Sequence, residues 1–298
     1  KYFDGIPRGP KIEREEKQLV ALSETKKLYY EDNFARLPQL TIAWPAVYSY
    51  HEDTYALEVL AKYLSEGKNA PLYQNLVSEK EHTDRVRMYN YTSELAGQLM
   101  LQVTAYNEVD LDSVESAVFE TFKNFEAEGI PERDLKRIKA QQETDFYNSL
   151  ASVLGKGFQL AQYQIFANDP NYINKDVEKI LAVTPEDVKR VYEKYIKGKH
   201  FVATSFVPQG QVALALENSE EAGVIEEKIV DAIVEEKTTG KPLPENIQKL
   251  VDFMEDTGGD INDYVNLNRD VSKLDDSDVL DEYYRTTKSH LTAEERGF

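Results

Sequence analysis

The stretch RLPQLTIAWPAV, residues 36–47, decides the fold. Within it Leu40, Ile42 and Trp44 alternate with Thr41 and Ala43. A period of two sends one row of side chains toward a core and the other to the opposite face, so the spacing predicts a strand. Pro45 is expected to end the pairing, because it has no N–H to donate. After HEDT the period changes, and Ala56, Val59, Leu60, Tyr63 and Leu64 fall on a single helical stripe. SEGKNAPLYQNLVSEKE then reads as a Gly break followed by a second, shorter helix. Residues 85–91 and 98–105 alternate again, joined by TSELAG, with Leu99, Leu101, Val103 and Ala105 pointing one way. Strand, helix pair and hairpin together predict half of an α+β sandwich.

Outward from that stretch, KYFDGIPRGP at the start is a lead-in with a Gly/Pro turn, and KKLYYEDN is expected as a first edge strand. Downstream, Asp112 and Glu115 stand three apart as a capping pair for a helix whose stripe is Val114, Ala117, Val118, Phe122 and Phe125. Gly129 stops it, and Pro131 suits the first turn of the next helix. That helix is expected to run over 131–154 on Leu135, Ile138, Phe146, Leu150, Val153 and Leu154, interrupted by Gln142. Gly155 and Gly157 mark a break before a further helix in FQLAQYQIFAN, and a loop, DPNYINKD, leads to a short helix ending near Ala182. Thr184 is an N-cap with Pro185 first and Asp187 third, ahead of the face Val188, Val191, Tyr192, Tyr195 and Ile196. Gly198 stops that helix, and FVATSFVP is a last strand able to complete the sheet.

Composition narrows the function. The chain has 298 residues, 41% hydrophobic and 30% charged, and a formal net charge of -19. That length holds one large domain or one and a half smaller ones. The acidic balance argues against a nucleic-acid partner, whose phosphates need Lys and Arg. No apolar run approaches the roughly 18–20 residues of a membrane span, so no membrane insertion is expected. The cysteine count is 0, which removes disulfides, thiolate metal sites and thiol nucleophiles. No signal peptide is visible and Lys1 is not Met, so the chain reads as a piece of something longer. Residues 211–298 hold 22 acids and 9 bases, about two thirds of the net charge.

LTIAWPAV, then YLSEGKNAPLYQNLVSEKE, then TSELAGQLMLQVTAY resemble, in order and spacing, a known family. It is the second, non-catalytic, C-terminal-type domain of the pitrilysin/insulinase zinc metallopeptidases, the inverzincins. The resemblance continues through LDSVESAVFE, IPERDLKRIKAQQETDF, DPNYINKDVEKILAVTPEDVKRVYEKYI and FVATSFVP, covering roughly residues 1–210. It implies an α+β domain with a mostly antiparallel sheet covered by helices. NSEEAGVIEEKIVDAIVEEK, within 211–237, resembles the acidic connector that follows this domain in two-lobed members. Residues 238–298 fall outside the resemblance. They form an acidic tail of uncertain origin, read as poorly structured or helical, and loosely resemble acidic segments of phage scaffolding proteins.

The family's catalytic signature is H-x-x-E-H on a helix, with a distal Glu completing a zinc site. Here the histidines are His51, His82, His200 and His290, and none sits in that pattern. His51 reads as a helix-start residue, His82 and His200 as loop or strand-edge residues. The family's carbonyl-binding Arg and Tyr, laid on this sequence, fall near Leu99 and Asp110, and neither matches. Arg85, Arg87, Tyr89 and Tyr91 stand nearby and alternate on one strand face, the pattern of a solvated or partly covered sheet surface. There is no G-x-S-x-G elbow; Gly155-Lys156-Gly157 is no phosphate loop; Asp275-Asp276-Ser277-Asp278 lacks the Gly and Glu of a calcium loop.

No catalytic or metal residue is therefore assigned, and the peptide-binding residues stay unknown. The resemblance implies a non-catalytic domain that walls a peptide-enclosing chamber and supports a separate zinc-bearing domain, in the same chain or a partner chain. Zinc is expected in that preceding domain and an unfolded peptide as substrate, so hydrolysis belongs to the full protein. Two alternatives stay open: a zinc-free structural, assembly or processing-partner subunit of the same fold, and a scaffold-type module defined by the tail. The compartment stays open between a bacterial periplasm or cell envelope, which is favoured, and the cytoplasm.

Overall fold

In a computed structural model the described residues are 19–222, with Gly9, Glu15, Glu16, Lys17, Gln248, Lys249, Asp252 and Phe253 outside that run. The chain divides into two compact units, Lys1–Ala222 and Gly223–Phe298. In the second unit, Gln248 Nε2 donates to Asp252 Oδ1 at 2.8 Å, one helical turn apart. The expectations on His290, Asp275–Asp278 and most of 223–298 lie outside the described residues.

The first unit is an α+β sandwich on a six-stranded sheet. Its elements are β1 (Lys26–Asp32), β2 (Gln39–Ala46), α1 (Glu52–Ser65), and α2 (Pro71–Tyr73) running into a π-helical turn, Gln74–Glu79. The hairpin β3 (Thr83–Thr92) and β4 (Gly97–Ala105) follows, then α3 (Leu111–Glu128) and α4 (Glu132–Ser149). Next come α5 (Val153–Gln162) with a π-helical turn, Tyr163–Ala167, then α6 (Ile173–Ala182) and α7 (Pro185–Tyr195). β5 (Val202–Pro208) and the two-residue β6 (Glu220–Glu221) complete the sheet, in the order β3-β4-β2-β5-β1-β6. The β3–β4, β4–β2 and β2–β5 pairings are antiparallel, and β1 pairs in parallel with β5 and β6, so the sheet is mixed.

The alternation in β2 positions everything else. Leu40, Ile42 and Trp44 are fully buried, and Leu99, Leu101 and Val103 of β4 lie opposite them across the ladder. On that row sit Ala56, Val59, Leu60 and Leu64 of α1, Val114, Val118 and Phe122 of α3, and Val188 and Val191 of α7, one continuous core. Trp44 meets the ring of Phe122 edge-on, centroids 5.9 Å apart. At about 25 cal/mol per Å² of apolar surface removed from water, this stripe-on-row packing is the main source of stability.

Four expectations change. Pro45 does not end the strand: pairing with β4 continues through Ala46, while pairing with β5 stops at Ala43. A proline lacks only one donor, so it is tolerated where one neighbour has already ended. The cap of α3 is Asp110, whose carboxylate accepts from Ser113 N at 2.7 Å; Glu115 instead accepts from Lys27 Nζ at 2.7 Å. The helix expected over 131–154 ends at Ser149, and Ser152 caps α5, its Oγ accepting from Gly155 N at 2.9 Å. Val153 and Leu154 are therefore not core residues but 87% and 70% exposed, and no residue of α5 is buried. Finally, KKLYYEDN is not an edge strand: β1 pairs with β5, which lies between β2 and β1, and on its other side with the two-residue β6. The packed unit continues past residue 210: Ala215 and Leu216 are buried, and Ala222 N donates to Tyr29 O at 2.8 Å.

Candidate functional site

The helices cover the Leu40–Ile42–Trp44 side of the sheet, and the opposite side carries the second row of each strand. Register aligns Arg87, Gln102, Thr41, Thr204 and Leu28 in one row, and Tyr89, Met100, Ala43 and Val202 in the next. These positions are half-buried or exposed, unlike the fully buried row beneath them. The surface is mixed in chemistry. Tyr89 and Tyr91 are exposed aromatics, Arg87 is the exposed cation beside them, and hydroxyls and amides fill the centre. At the β1 side Tyr30 and Phe206 stack edge-on with centroids 6.0 Å apart. A cavity of about 450 Å³ opens there, lined by Asp32, Arg36, Leu37, Gln39, Thr104 and Phe206. Such a surface offers flat apolar contact with scattered hydrogen-bonding groups, suited to an extended chain rather than to one small molecule.

β3 is the outer strand, with a register shift between Thr83 and Val86. Its free edge is partly occupied: Ser65 Oγ of α1 accepts from Met88 N at 2.9 Å and donates to Met88 O at 3.3 Å. That contact occupies the Met88 N–H that an added strand would need, while the single hydroxyl proton is shared between Met88 O and the closer Ala61 O, at 3.0 Å.

Arg85, Arg87, Tyr89 and Tyr91 are all exposed on this strand. Leu99 is buried in the core and Asp110 caps α3, so neither is free to meet a ligand. The three described histidines do not converge. His51 caps α1, its Nδ1 accepting from Asp53 N at 3.0 Å, and burial lowers its pKa. His82 lies between the π-helical turn and β3, and His200 Nδ1 is 3.3 Å from Thr25 Oγ1 just ahead of β5. Among the described residues, no group of three or more His, Asp or Glu is placed to hold a metal ion. No described helix is long and apolar enough to cross a membrane.

Two buried carboxylates escaped the sequence. Asp53, in the first turn of α1, accepts from Arg190 Nη1 at 2.6 Å, Lys194 Nζ at 2.7 Å and Tyr195 Oη at 2.6 Å. Burial opposes its ionisation, but these three donors outweigh burial and hold its pKa far below the usual carboxylate range. Asp176 of α6 accepts from Tyr55 Oη at 2.6 Å and Tyr163 Oη at 2.8 Å. In sequence these donors lie up to 142 positions from their acceptors, so no local pattern exposes them.

The described residues form an α+β sandwich with one sheet face not covered by the described helices, and no group of three or more His, Asp or Glu converges among them. Comparison places it more narrowly. Residues 1–142 match the family model described as the peptidase M16 inactive domain. Zinc protease PqqE of Helicobacter pylori is 22% identical over 147 residues, 49% of this chain and 33% of that protein. The crystal structure of a peptidase M16 inactive domain from Pseudomonas fluorescens superposes with a TM-score of 0.57 at 16% identity, covering 68% of this chain and 47% of that one. The periplasmic protease PqqL of Escherichia coli gives a TM-score of 0.54 at 14% identity, over 65% of this chain and 21% of that one. Over residues 1–142, just under half of the chain, the match is to the peptidase M16 inactive domain, and the fold is shared with the solved inactive domain from Pseudomonas fluorescens. It spans about a third of the curated relative it matches.

Proposed function

We propose that this domain forms one wall of a peptide-enclosing chamber and supports a separate zinc-bearing domain, in the same or a partner chain. That other domain supplies zinc and hydrolyses the peptide. The observation that carries the reading is the bare sheet face with Arg87, Tyr89 and Tyr91 on its outer strand. A wall for unfolded peptide needs sequence-tolerant contacts, and aromatic faces, amides and one cation provide them. The exposed apolar side chains of α5, Val153, Leu154 and Phe158, support docking onto a second domain, since such a patch is unusual on a lone soluble domain. Of the 211–237 expected as the acidic connector, the part beyond the packed Ala222 then serves as the connector, and 238–298 as an acidic tail. The periplasm or cell envelope is the proposed compartment, supported by the periplasmic setting of PqqL.

The test is binding of a fluorescent, unfolded peptide to the full chain, followed by anisotropy. Arg87→Glu and Tyr91→Ala should each weaken binding by about tenfold, the loss of one good contact, while Lys136→Ala on the exposed side of α4 should not. Equal affinity for all three variants would remove the sheet face from the reading. An H-x-x-E-H helix encoded upstream of Lys1 is expected, and its absence would favour a zinc-free assembly subunit.

A further inference from the structure

A second cavity, of about 370 Å³, lies away from the sheet face, among α1, the end of β3, α5 with its π-helical turn, and α6. Its walls include Tyr50, Tyr55, Glu58, Gln159, Phe166 and Asp176. The volume is within the range of small-ligand sites. The chemistry is lopsided. Asp176 is satisfied by two tyrosine hydroxyls, at 2.6 and 2.8 Å. Glu58 is not: its hydrogen bond is a long one, 3.4 Å, from Gln142 Nε2, and no described cation lies within ion-pair reach. Gln142, which supplies that bond, is itself 93% buried, and its Oε1 accepts from no described group. A carboxylate on a cavity wall that holds a single long hydrogen bond is under-coordinated until a donor-bearing group arrives. Aromatic rings complete the surroundings: Tyr50, Tyr163 and Tyr172 form a triangle with centroid separations of 5.4–5.7 Å. Tyr50 also holds a left-handed backbone, φ 62°, a strained conformation for a bulky residue, which places its ring at this cavity.

The geometry points to a binding site for an organic cation, an ammonium or guanidinium head on a short apolar stem, with Glu58 as its counter-ion and the Tyr50 ring as its cation–π face. The stem lies along Phe166 and Ile180, and the head supplies the N–H donors that Glu58 lacks. Aspartate alone would not discriminate, because Asp176 already has its donors. The charged groups around Glu58 are Asp176 and Lys179 on α6, Lys62 on α1 and Asp145 on α4. Lys62 sits 3.8 Å from Asp145 and 3.9 Å from Glu66, and Lys179 lies over the rings of Tyr55 and Tyr172, so neither takes the proposed place. Burial, then the charge of Asp176, push the Glu58 carboxyl up to about 7. An arriving cation must therefore displace a proton, and binding strengthens as pH rises through that value.

The head group can come from a free small amine or from a basic side chain within a peptide. Titration calorimetry of the full chain with agmatine, and separately with an N-acetylated, C-amidated Ala-Arg-Ala tripeptide, distinguishes the two. At about pH 8 one of them should bind saturably with a dissociation constant of about 1 mM or tighter. Affinity should fall at least about tenfold at about pH 5.5, with proton release visible as a buffer-dependent heat. Glu58→Gln, which is isosteric and should fold, should abolish binding, and n-butylurea, the uncharged analogue, should not bind. Binding of neither probe by the wild-type chain, or binding unchanged in both Glu58→Gln and the low-pH titration, overturns the proposal. This inference stands apart from the chamber reading: loss of peptide binding at Arg87 and Tyr91 leaves it untouched.

Discussion

The hydroxyl of Tyr195 donates to Asp53 Oδ2 across 2.6 Å, tying the last turn of α7 to the first turn of α1. Lys194, the residue before Tyr195, and Arg190, a little over one turn earlier on α7, complete the carboxylate's coordination. Asp53→Ala should destabilise the domain by about 2–3 kcal/mol. That is less than the loss of a fully buried pair, because both cationic side chains are half exposed and regain water. Chemical denaturation of the variant checks this, and a cost under about 0.5 kcal/mol would show the link to be ornamental.

The same carboxylate fixes an acid limit. Its folded pKa is depressed and its unfolded value is about 3.9, so the folded state binds fewer protons. The stabilisation is complete above about pH 4 and is lost as pH falls below that, toward the folded pKa. Wild type should lose stability between about pH 4 and pH 2 more steeply than Asp53→Ala. Parallel acid-unfolding curves for the two would contradict the assignment.

Glu58 has the opposite sign. Its folded pKa is raised to about 7 by burial and the Asp176 charge, so the unfolded chain ionises first as pH rises. Stability therefore declines between about pH 4.5 and 7, and Glu58→Gln should remove that decline. In the absence of any ligand the variant should be about 2–3 kcal/mol more stable than wild type at about pH 8 and equal to it at about pH 4. Thermal melts at the two pH values decide; a variant less stable at both would mean that the carboxylate is stabilised by contacts other than those described.

What the sequence revealed was what short periods can carry. The β2 row Leu40–Ile42–Trp44, the α1 stripe, and the Thr184–Pro185–Asp187 capping box all rest on neighbours within a few residues, and all three are present. In the capping box, Thr184 Oγ1 accepts from Asp187 N while Asp187 Oδ2 accepts from Thr184 N. The apolar stripe that starts after Pro131 runs on in sequence through Val153 and Leu154, past the helix end at Ser149. The chain turns at Leu150, and both residues end outside the core. The place of β5 between β2 and β1, and the Asp53 and Asp176 clusters, depend on partners more than a hundred positions away. The sheet face was visible only as the polar row of an alternation, and its bareness is a property of the whole fold.

Gly155 and Gly157 looked alike in sequence and differ in place. A Cβ at Gly155 would collide with the carbonyl oxygen of Ser149, where the end of α4 folds over the start of α5, whereas a Cβ at Gly157 meets nothing within 4 Å. Gly157→Ala should therefore stabilise by about 0.5–1 kcal/mol, since alanine loses less backbone entropy in a helix. Gly155→Ala should destabilise by about 1–3 kcal/mol through overpacking. Denaturant midpoints of the two single variants, measured side by side, should move in opposite directions; shifts of the same sign would mean that the α4–α5 junction does not close as described.

The last strand of the unit offers a test of where the fold ends. Leu216 is buried, and its N–H donates to the fully buried Ser205 Oγ at 3.2 Å. Beyond it, β6 pairs in parallel with Leu28 and Tyr29 of β1, shielding part of an otherwise open strand edge. A fragment ending at Gly210 loses the buried Ala215 and Leu216, leaves Ser205 without its donor and uncovers the β1 edge. One leucine and one orphaned hydroxyl cost about 3 kcal/mol together. For a domain of this size that is about 6–12 °C in the melting midpoint. A fragment of residues 1–222 should therefore melt clearly above one of residues 1–210. If the two melt within about 2 °C of each other, the segment after Pro208 is packed on the sheet without stabilising it, and the fold ends with β5.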